Sequence, residues 1–391
     1  MRYRFRLPTF FIVTFLYWSA VYTCMPVLTP HAESLNASLQ MVGLIGGAYG
    51  LMQLLLRLPL GILSDKLGRR RIFVTVGILF GTLSAVTLLL GKSPGWVLLA
   101  RVLAGISACA YVQLTVLYAS YFTSGATSRS ISMVSAGSSA SQVLAMMAGG
   151  ALADRFGVDG TFAAGSAVGL MGIIFSLFLY EPVIKKQPLS FPDVVRVART
   201  PGLIAVSLLS VLTQAIFFGK VFSFAPVASS SMDATGWQLG IVSTLASMGS
   251  FFSAMLAGAG LISRLGERRL ILCGFALHFI GSAMMPFSGN IWLVMLSQVI
   301  SGSGQGLVFP LLMSLAVGTV AQERRATAMG FFQAIYGLGM FLGPWLGGII
   351  SDHFTINIGF FFMAALAAAG FALTLTLARR RQPARAASGG N

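Results

Sequence analysis

Four ionisable side chains of this 391-residue chain stand inside long apolar runs: Arg57, Arg101, Lys220 and His278. A charge in such surroundings is costly and persists where it faces a cavity, a ligand or a partner group. Arg57 precedes Asp65 by eight residues, about 12 Å along a helix, which is too deep for easy escape to water. It suits a ligand site, or an ion pair or carbonyl contact that holds helices together. Arg101 lies closer to the end of its run, so it either faces a cavity or extends to the headgroups. Lys220 is a candidate for binding substrate or a proton, since a buried amine can exist with or without its proton. His278, near the middle of its run, is either a titrating group or a satisfied structural histidine.

The complementary charge is missing. All ten acids fall in loops or at run ends: Glu33, Asp154, Asp159, Asp233 and Asp352 toward one side, Asp65, Glu181, Asp193, Glu267 and Glu323 toward the other. A cavity holding cations and no carboxylate favours anionic or neutral ligands. Tyr17, Trp18, Tyr22, Gln53, Gln113, Gln214, Phe218, Gln298 and Gln305 complete the candidate cavity residues, being polar or aromatic within the same runs. Other chemistries lack their residues. The three cysteines, Cys24, Cys109 and Cys273, read as small buried hydrophobes, and no Cys/His spacing suits a metal. No phosphate-binding loop, metalloprotease helix or nucleophile elbow occurs, so neither enzyme activity nor a cofactor is expected.

A membrane is what must position these residues. The chain is 56% hydrophobic and 9% charged, against about 25% charged in a soluble domain. Apolar runs of roughly 20 residues recur, each able to cross a hydrocarbon core of about 30 Å as a helix. They are continuous, whereas a membrane β-barrel would show short alternating segments. With Gly, Pro and charge as punctuation, twelve spans are predicted near 8–30, 40–62, 72–91, 96–120, 131–151, 161–180, 203–227, 238–262, 270–288, 291–317, 329–350 and 358–378. The basic N-terminus precedes a long run with no clear small-residue cleavage site, so it is read as the start of an uncleaved first helix.

Of the 26 Lys and Arg, 21 fall on the side shared by both termini, two (Lys92 and Arg155) fall on the other, and three lie within spans. This asymmetry puts both termini in the cytoplasm of a multi-pass protein of the cell membrane. Topology therefore accounts for the net charge of +16, and nucleic acid is excluded as a partner. The partners expected are membrane lipid, a small-molecule substrate and a proton or other coupling ion, with the protein acting as a monomer.

The chain repeats itself. Arg101-Val-Leu-Ala-Gly105 matches Gln298-Val-Ile-Ser-Gly302, and Gly149-Gly150-Ala-Leu-Ala-Asp154 matches Gly347-Gly348-Ile-Ile-Ser-Asp352. Arg129-Ser-Ile-Ser-Met133 matches Arg325-Ala-Thr-Ala-Met329. Six spans separate the copies, so the halves share one orientation. The domain reading is a first half over 1–180, a cytoplasmic linker over 181–202 with a short surface helix, a second half over 203–378 and a basic tail over 379–391.

Between the second and third spans runs Gly61-Ile-Leu-Ser-Asp65-Lys-Leu-Gly68-Arg69-Arg70-Arg71, with a weaker copy at Ala259-Gly-Leu-Ile-Ser263-Arg264-Leu-Gly266-Glu267-Arg268-Arg269. The first resembles the signature loop of the major facilitator superfamily of secondary transporters. With helix number, orientation and repeat, the resemblance covers nearly the whole chain. It implies an all-α polytopic membrane fold of twelve helices, in two six-helix halves related by a parallel pseudo-two-fold. It also implies alternating access, in which the halves rock about a site near the midplane. In the family, the residue matching Asp65 resembles a latch that pairs with basic residues and a helix N-terminus when the outer side is open, with Gly61 and Gly68 allowing close approach and a tight turn. Ser263 replaces the acid in the second copy. The run around Arg101 resembles the family's fourth-helix motif, whose arginine is associated with proton coupling; His278 is the other coupling candidate. Arg57-Leu-Pro59-Leu-Gly61 resembles the second helix of nitrate/nitrite porters, where the matching arginine binds the anion, although Met255 occupies the repeat-related position.

Direction rests on two opposed signs. Compact twelve-helix chains of this kind resemble the family's exporters, so proton-linked export of a small organic molecule is the leading expectation. The antiporter pattern Gly-Pro-x-x-Gly-Gly is lost in the fifth span, which reads Ala145-Met146-Met147-Ala148-Gly149-Gly150, while Gly343-Pro344-Trp-Leu-Gly347-Gly348 keeps it in the eleventh. Uptake of a small organic or inorganic anion is therefore the alternative. A transporter-like sensor or assembly partner is the reading outside transport.

Overall fold

A computed structural model describes residues 6–121, 127–182, 196–197, 199–320 and 324–379, and among them every regular element is a helix. Eleven helices are long and apolar enough to cross a membrane: α1 (Arg6–Ser34), α2 (Leu39–Leu67), α3 (Arg70–Leu90), α4 (Pro94–Ala119), α5 (Thr127–Ser176), α6 (Pro201–Ser230), α7 (Gly236–Leu265), α8 (Glu267–Phe287), α9 (Ile291–Gly318), α10 (Arg325–His353) and α11 (Ile356–Arg379). The surface helix expected in the linker falls mostly, and the basic tail beyond Arg379 entirely, outside the described residues.

Two expected spans, 131–151 and 161–180, fall on the single element α5. Gly157 interrupts it at φ 72° and ψ 177°, a backbone region open to glycine and essentially closed to other residues. The chain doubles back there. Thr161 Oγ1 donates to the Gly149 carbonyl at 3.1 Å, whereas twelve residues of straight helix would hold them about 18 Å apart. Thus α5 consists of two arms folded against one another.

Helix starts at one end of the molecule are capped by their own sequence. Ser38 accepts from Met41 N at 3.2 Å to begin α2, and Asn290 accepts from Leu293 N at 3.0 Å to begin α9. Thr235 and Gln238 exchange bonds in a capping box at the start of α7. Small residues then let the halves approach backbone to backbone. A Cβ added at Gly43 of α2 would sit 2.8 Å from Gly348 Cα of α10, and one at Gly150 of α5 would sit 3.0 Å from Gly240 Cα of α7.

Beside each glycine contact, an aspartate from one half caps a helix of the other. Asp352, at the end of α10, accepts from Leu39 N of α2 at 3.0 Å. Asp154, on the first arm of α5, accepts from Gly236 N at 2.5 Å and Trp237 N at 2.8 Å at the start of α7. A carboxylate at a helix start satisfies otherwise orphaned N–H groups and meets the positive end of the helix dipole. The two aspartates are the repeat-related pair of the sequence, so the clamps form a symmetric seal. It lies at the opposite end of α2 from the Asp65 loop.

Each clamp should contribute about 0.5–2 kcal/mol to this closed end, the range of a helix cap. Asp154→Ala and Asp352→Ala are therefore expected to raise the open population of this end roughly fivefold each. The increase is measured as labelling of a cysteine placed at Leu39, with Asp154→Ala the stronger variant because two N–H groups lose their acceptor. Unchanged labelling in the double variant would show that glycine packing alone closes the seal.

Candidate functional site

Between the clamps and the signature loop the halves meet through aromatic rings. Tyr49 of α2 stacks on Phe218 of α6, with ring centroids 6.0 Å apart and 17° between planes. Tyr22 of α1 meets Phe222 edge-on at 6.5 Å, and Trp18 bridges Tyr22 and Tyr111 at 5.5 and 5.3 Å. Tyr17 hydrogen-bonds the Ser107 carbonyl at 2.5 Å and so ties α1 to α4. Of these rings, the sequence singles out Tyr17, Trp18, Tyr22 and Phe218; Tyr49, Tyr111 and Phe222 are additions of the structure.

The two arginines of the first half attach to this aromatic layer. Arg57 is buried, and its Nη2 donates to Gln53 Oε1 one turn earlier on α2. Its Nη1 donates to the hydroxyl of Tyr336 on α10 at 2.5 Å. Arg57 therefore reaches across the two halves. Arg101 of α4 is also buried and lays its guanidinium 4.3 Å above the Tyr49 ring, a cation–π contact that substitutes for a counter-ion. Extension to the headgroups is ruled out in this arrangement. The Arg101 Nε has no hydrogen-bond partner, and the guanidinium borders a small void shared by α1, α3 and α4, next to Cys24 and Ser84. The described ion pairs are Asp65–Arg70 and Lys92–Asp159, so no described carboxylate pairs with either arginine.

The second half holds a separate polar cluster, and several residues expected on the cavity are hydrogen-bonded within the packed bundle. Lys220 is fully buried, its Nζ 2.9 Å from the Ser297 carbonyl and 2.5 Å from Ser301 Oγ, both on α9. It stands on the side of α6 roughly opposite Phe218 and Phe222, which touch the first half. Gln298 is likewise fully buried and donates to the Val221 and Val242 carbonyls at 3.3 and 3.4 Å, tying α9 to α6 and α7. Gln113, with its NH2 turned toward its own helix, reaches the Cys109 and Ala110 carbonyls at 2.9 and 3.2 Å. A buried amide in an apolar helix bundle takes the nearest carbonyls, and in this arrangement both glutamines are held that way. His278, Thr213, Gln305 and Gln214 form one chain: Thr213 Oγ1 lies 3.0 Å from His278 Nε2 and 2.8 Å from Gln305 Oε1, and Gln305 Nε2 donates to Gln214 at 2.6 Å.

At the signature loop, Gly68 adopts φ 62° and ends α2 with a left-handed cap. Asp65 pairs with Arg70 of the same loop at 3.1 Å, and Arg69 is exposed. A Cβ added at Gly61 would meet open space, so the close helix approach expected there is not made in this state. The start of α3 is capped by Glu181, which accepts from Arg70 N and from Arg71 N. Nothing in the spacing of Glu181, 111 residues away, announces this contact. In the second copy, Ser263 bonds only the Gly260 carbonyl of its own helix end.

A family model described as Major Facilitator Superfamily matches residues 10–259 and 221–391. The chain belongs to the Major Facilitator Superfamily. Among curated relatives, the quinolone resistance protein NorA of Staphylococcus aureus is 27% identical over 159 residues, covering 41% of this chain and 40% of that protein's length. Among solved structures, a point mutant of the nucleoside transporter NupG superposes with a TM-score of 0.80 at 16% identity, over 94% of this chain and 98% of that one. A bacterial homologue of the human lysosomal transporter Spinster, in an inward-facing and unoccupied conformation, superposes with a TM-score of 0.79 at 16% identity, over 97% of each chain. The superfamily fold accounts for the multi-pass helical architecture, and the paired glycine contacts join the helices of its two halves.

A hydrogen bond to a charged group contributes about 1.5–3 kcal/mol. Thermal unfolding of Tyr336→Phe, Arg57→Gln and the double variant should therefore show a coupling energy of that order in a double-mutant cycle. Additive losses would mean that the guanidinium and phenol merely adjoin.

Proposed function

We propose that the protein is a secondary active transporter that exports a small organic anion or polar neutral compound by alternating access, linked to proton movement, with both termini cytoplasmic. The observation that carries this reading is the pair Arg57 and Arg101. Both guanidiniums lie in the aromatic layer where the halves meet, and neither pairs with a described carboxylate. An anion placed at Arg57 would compete with the Tyr336 hydroxyl of the other half for the guanidinium, so its arrival acts on both halves at once. The rings of Trp18, Tyr22 and Tyr49 supply flat apolar faces for the remainder of an aromatic or amphipathic compound.

Export is supported by the likeness to NorA, a quinolone resistance protein, although that match spans 40% of its length. The signature loop supports the orientation, since Asp65 and its neighbouring arginines would form the cytoplasmic latch only when the clamped end opens. Uptake of an anion is the second reading. It is favoured by the first arm of α5, where Ala145 and Met146 stand in place of the Gly343-Pro344 that α10 retains.

Transport of a panel of aromatic carboxylates and of ethidium into everted and right-side-out vesicles tests both charge selectivity and direction. Carboxylates are expected to move and ethidium to move poorly, with Arg57→Gln weakening carboxylate transport at least tenfold, about 1.4 kcal/mol of lost interaction. Ethidium efflux at ordinary rates, unchanged by Arg57→Gln, would replace this reading with a general cation pump. Asp65→Asn should abolish most turnover while leaving insertion intact; normal turnover would reduce the loop to a topology anchor.

A further inference from the structure

The second half contains a buried amine that the anion site does not use. We infer that Lys220 is the group that binds the coupling proton, in a site between α6, α8 and α9 that is separate from the arginines of the first half. The inference rests on the proton-linked reading above and adds to it the residue and its location.

Three observations carry it. The Nζ is fully buried and has two acceptors, the Ser297 carbonyl and Ser301 Oγ. A neutral amine has two N–H groups and is fully matched by this pair; an ammonium has three and leaves one over. The pocket thus matches the neutral form and leaves the charged form one acceptor short, and no carboxylate among the described ion pairs locks the charge in place. A purely structural lysine would be expected to have such a lock.

The second observation is the backbone. Lys220 lies in the middle of a π-helical stretch of α6, Phe217–Phe224, and π-turns are uncommon and concentrate at functional sites. Phe218 and Phe222 of the same stretch make the ring contacts with Tyr49 and Tyr22 of the first half. A change of charge at Lys220 therefore acts on the element that joins the halves.

The third is the surroundings. From α8, Gly281 packs on Ser301 and its carbonyl accepts from Ser297 Oγ, and the nearest titratable group along that helix is His278, one turn earlier. Its Nδ1 has no partner, and its Nε2 leads through Thr213 and Gln305 to Gln214. From α9 come Ser297 and Ser301. From α10 and α11, Gly343 and Met363 pack on Gly219, and from α2, Tyr49 packs on Phe218. The step is simple in its balance: the amine takes one proton from one aqueous side and releases it to the other after the halves have moved, with no bond to carbon changed.

The proton is itself the probe, so the test needs no known substrate. Spin labels at Ser34 and Thr355 on a cysteine-free background report the separation of the clamped end in lipid nanodiscs between pH 5 and pH 9. The wild-type distance distribution is expected to shift with pH through a single midpoint. Lys220→Met, which cannot take a proton, and Lys220→Arg, which cannot lose one, should each hold one distribution across the range. Restoration of the shift by arginine would show that charge alone suffices and would overturn the inference, as would a full shift in Lys220→Met. Should Lys220→Met not fold, Ser301→Ala keeps the amine and removes an acceptor. Displacement of the midpoint by at least half a unit is then expected, and an unmoved midpoint overturns the proposal. A wild-type protein indifferent to pH overturns both this site and proton linkage. A Lys220-dependent shift in a protein that fails to move carboxylates leaves this site standing and removes only the substrate reading.

Discussion

Positive charge that the membrane interior cannot neutralise is the constraint around which this structure is arranged. Arg57, Arg101 and Lys220 are all buried, and no described carboxylate pairs with any of them. Removing such ions from water costs several kcal/mol apiece even after relaxation. Each is accommodated by a different chemistry: an amide and a phenol for Arg57, an aromatic face for Arg101, a carbonyl and a hydroxyl for Lys220. Except for Gln53, these partners come from other helices, so the charges dictate which helices lie together. All the accommodations are partial, since weak partners leave a group able to exchange them for a ligand or, at an amine, to give up a proton.

The two ends of the molecule use the same physics with different symmetry. At the clamped end both copies of the repeat supply an aspartate, and each caps a helix of the opposite half. At the loop end only the first copy keeps its acid, and Ser263 in the second bonds its own helix end. On the alternating-access reading proposed above, a symmetric seal at one end and a one-sided loop at the other would bias the equilibrium between the two open states by amounts of the order of a helix cap. Such a bias is small enough for a bound ligand or proton to reverse.

Departures from regular helix occur where the bundle needs them. Gly157 folds α5 back on itself, and Gly68 and Gly266 end helices with positive φ. The π-helical turns of α6 lie at its contact with the first half. A helix with every backbone bond made internally is the default in lipid, so these exceptions mark the hairpin, the loop ends and the interface between the halves.

Much of this was legible in the residues alone, because it depends on local composition. Length and hydrophobicity of the runs dictate spans, charge asymmetry argues for orientation, and the copies around Gly150 and Gly348 or Asp154 and Asp352 disclose the repeat. The same reading marked Arg57, Arg101, Lys220 and His278 as unusual, since a charge in an apolar run is visible without knowing its neighbours. Which neighbour each one takes was decided by tertiary structure. Tyr336 is 279 residues from Arg57 and Glu181 is 111 from Arg70, and no periodicity connects such positions. Helical register could not tell Gln298, bound to carbonyls behind the interface, from a cavity residue, because both faces of a buried helix are apolar and only the packed bundle distinguishes them. The aspartates were placed correctly at the helix ends, yet their role required the opposite half to be present, for a cap exists only where another chain segment brings its free N–H groups within reach.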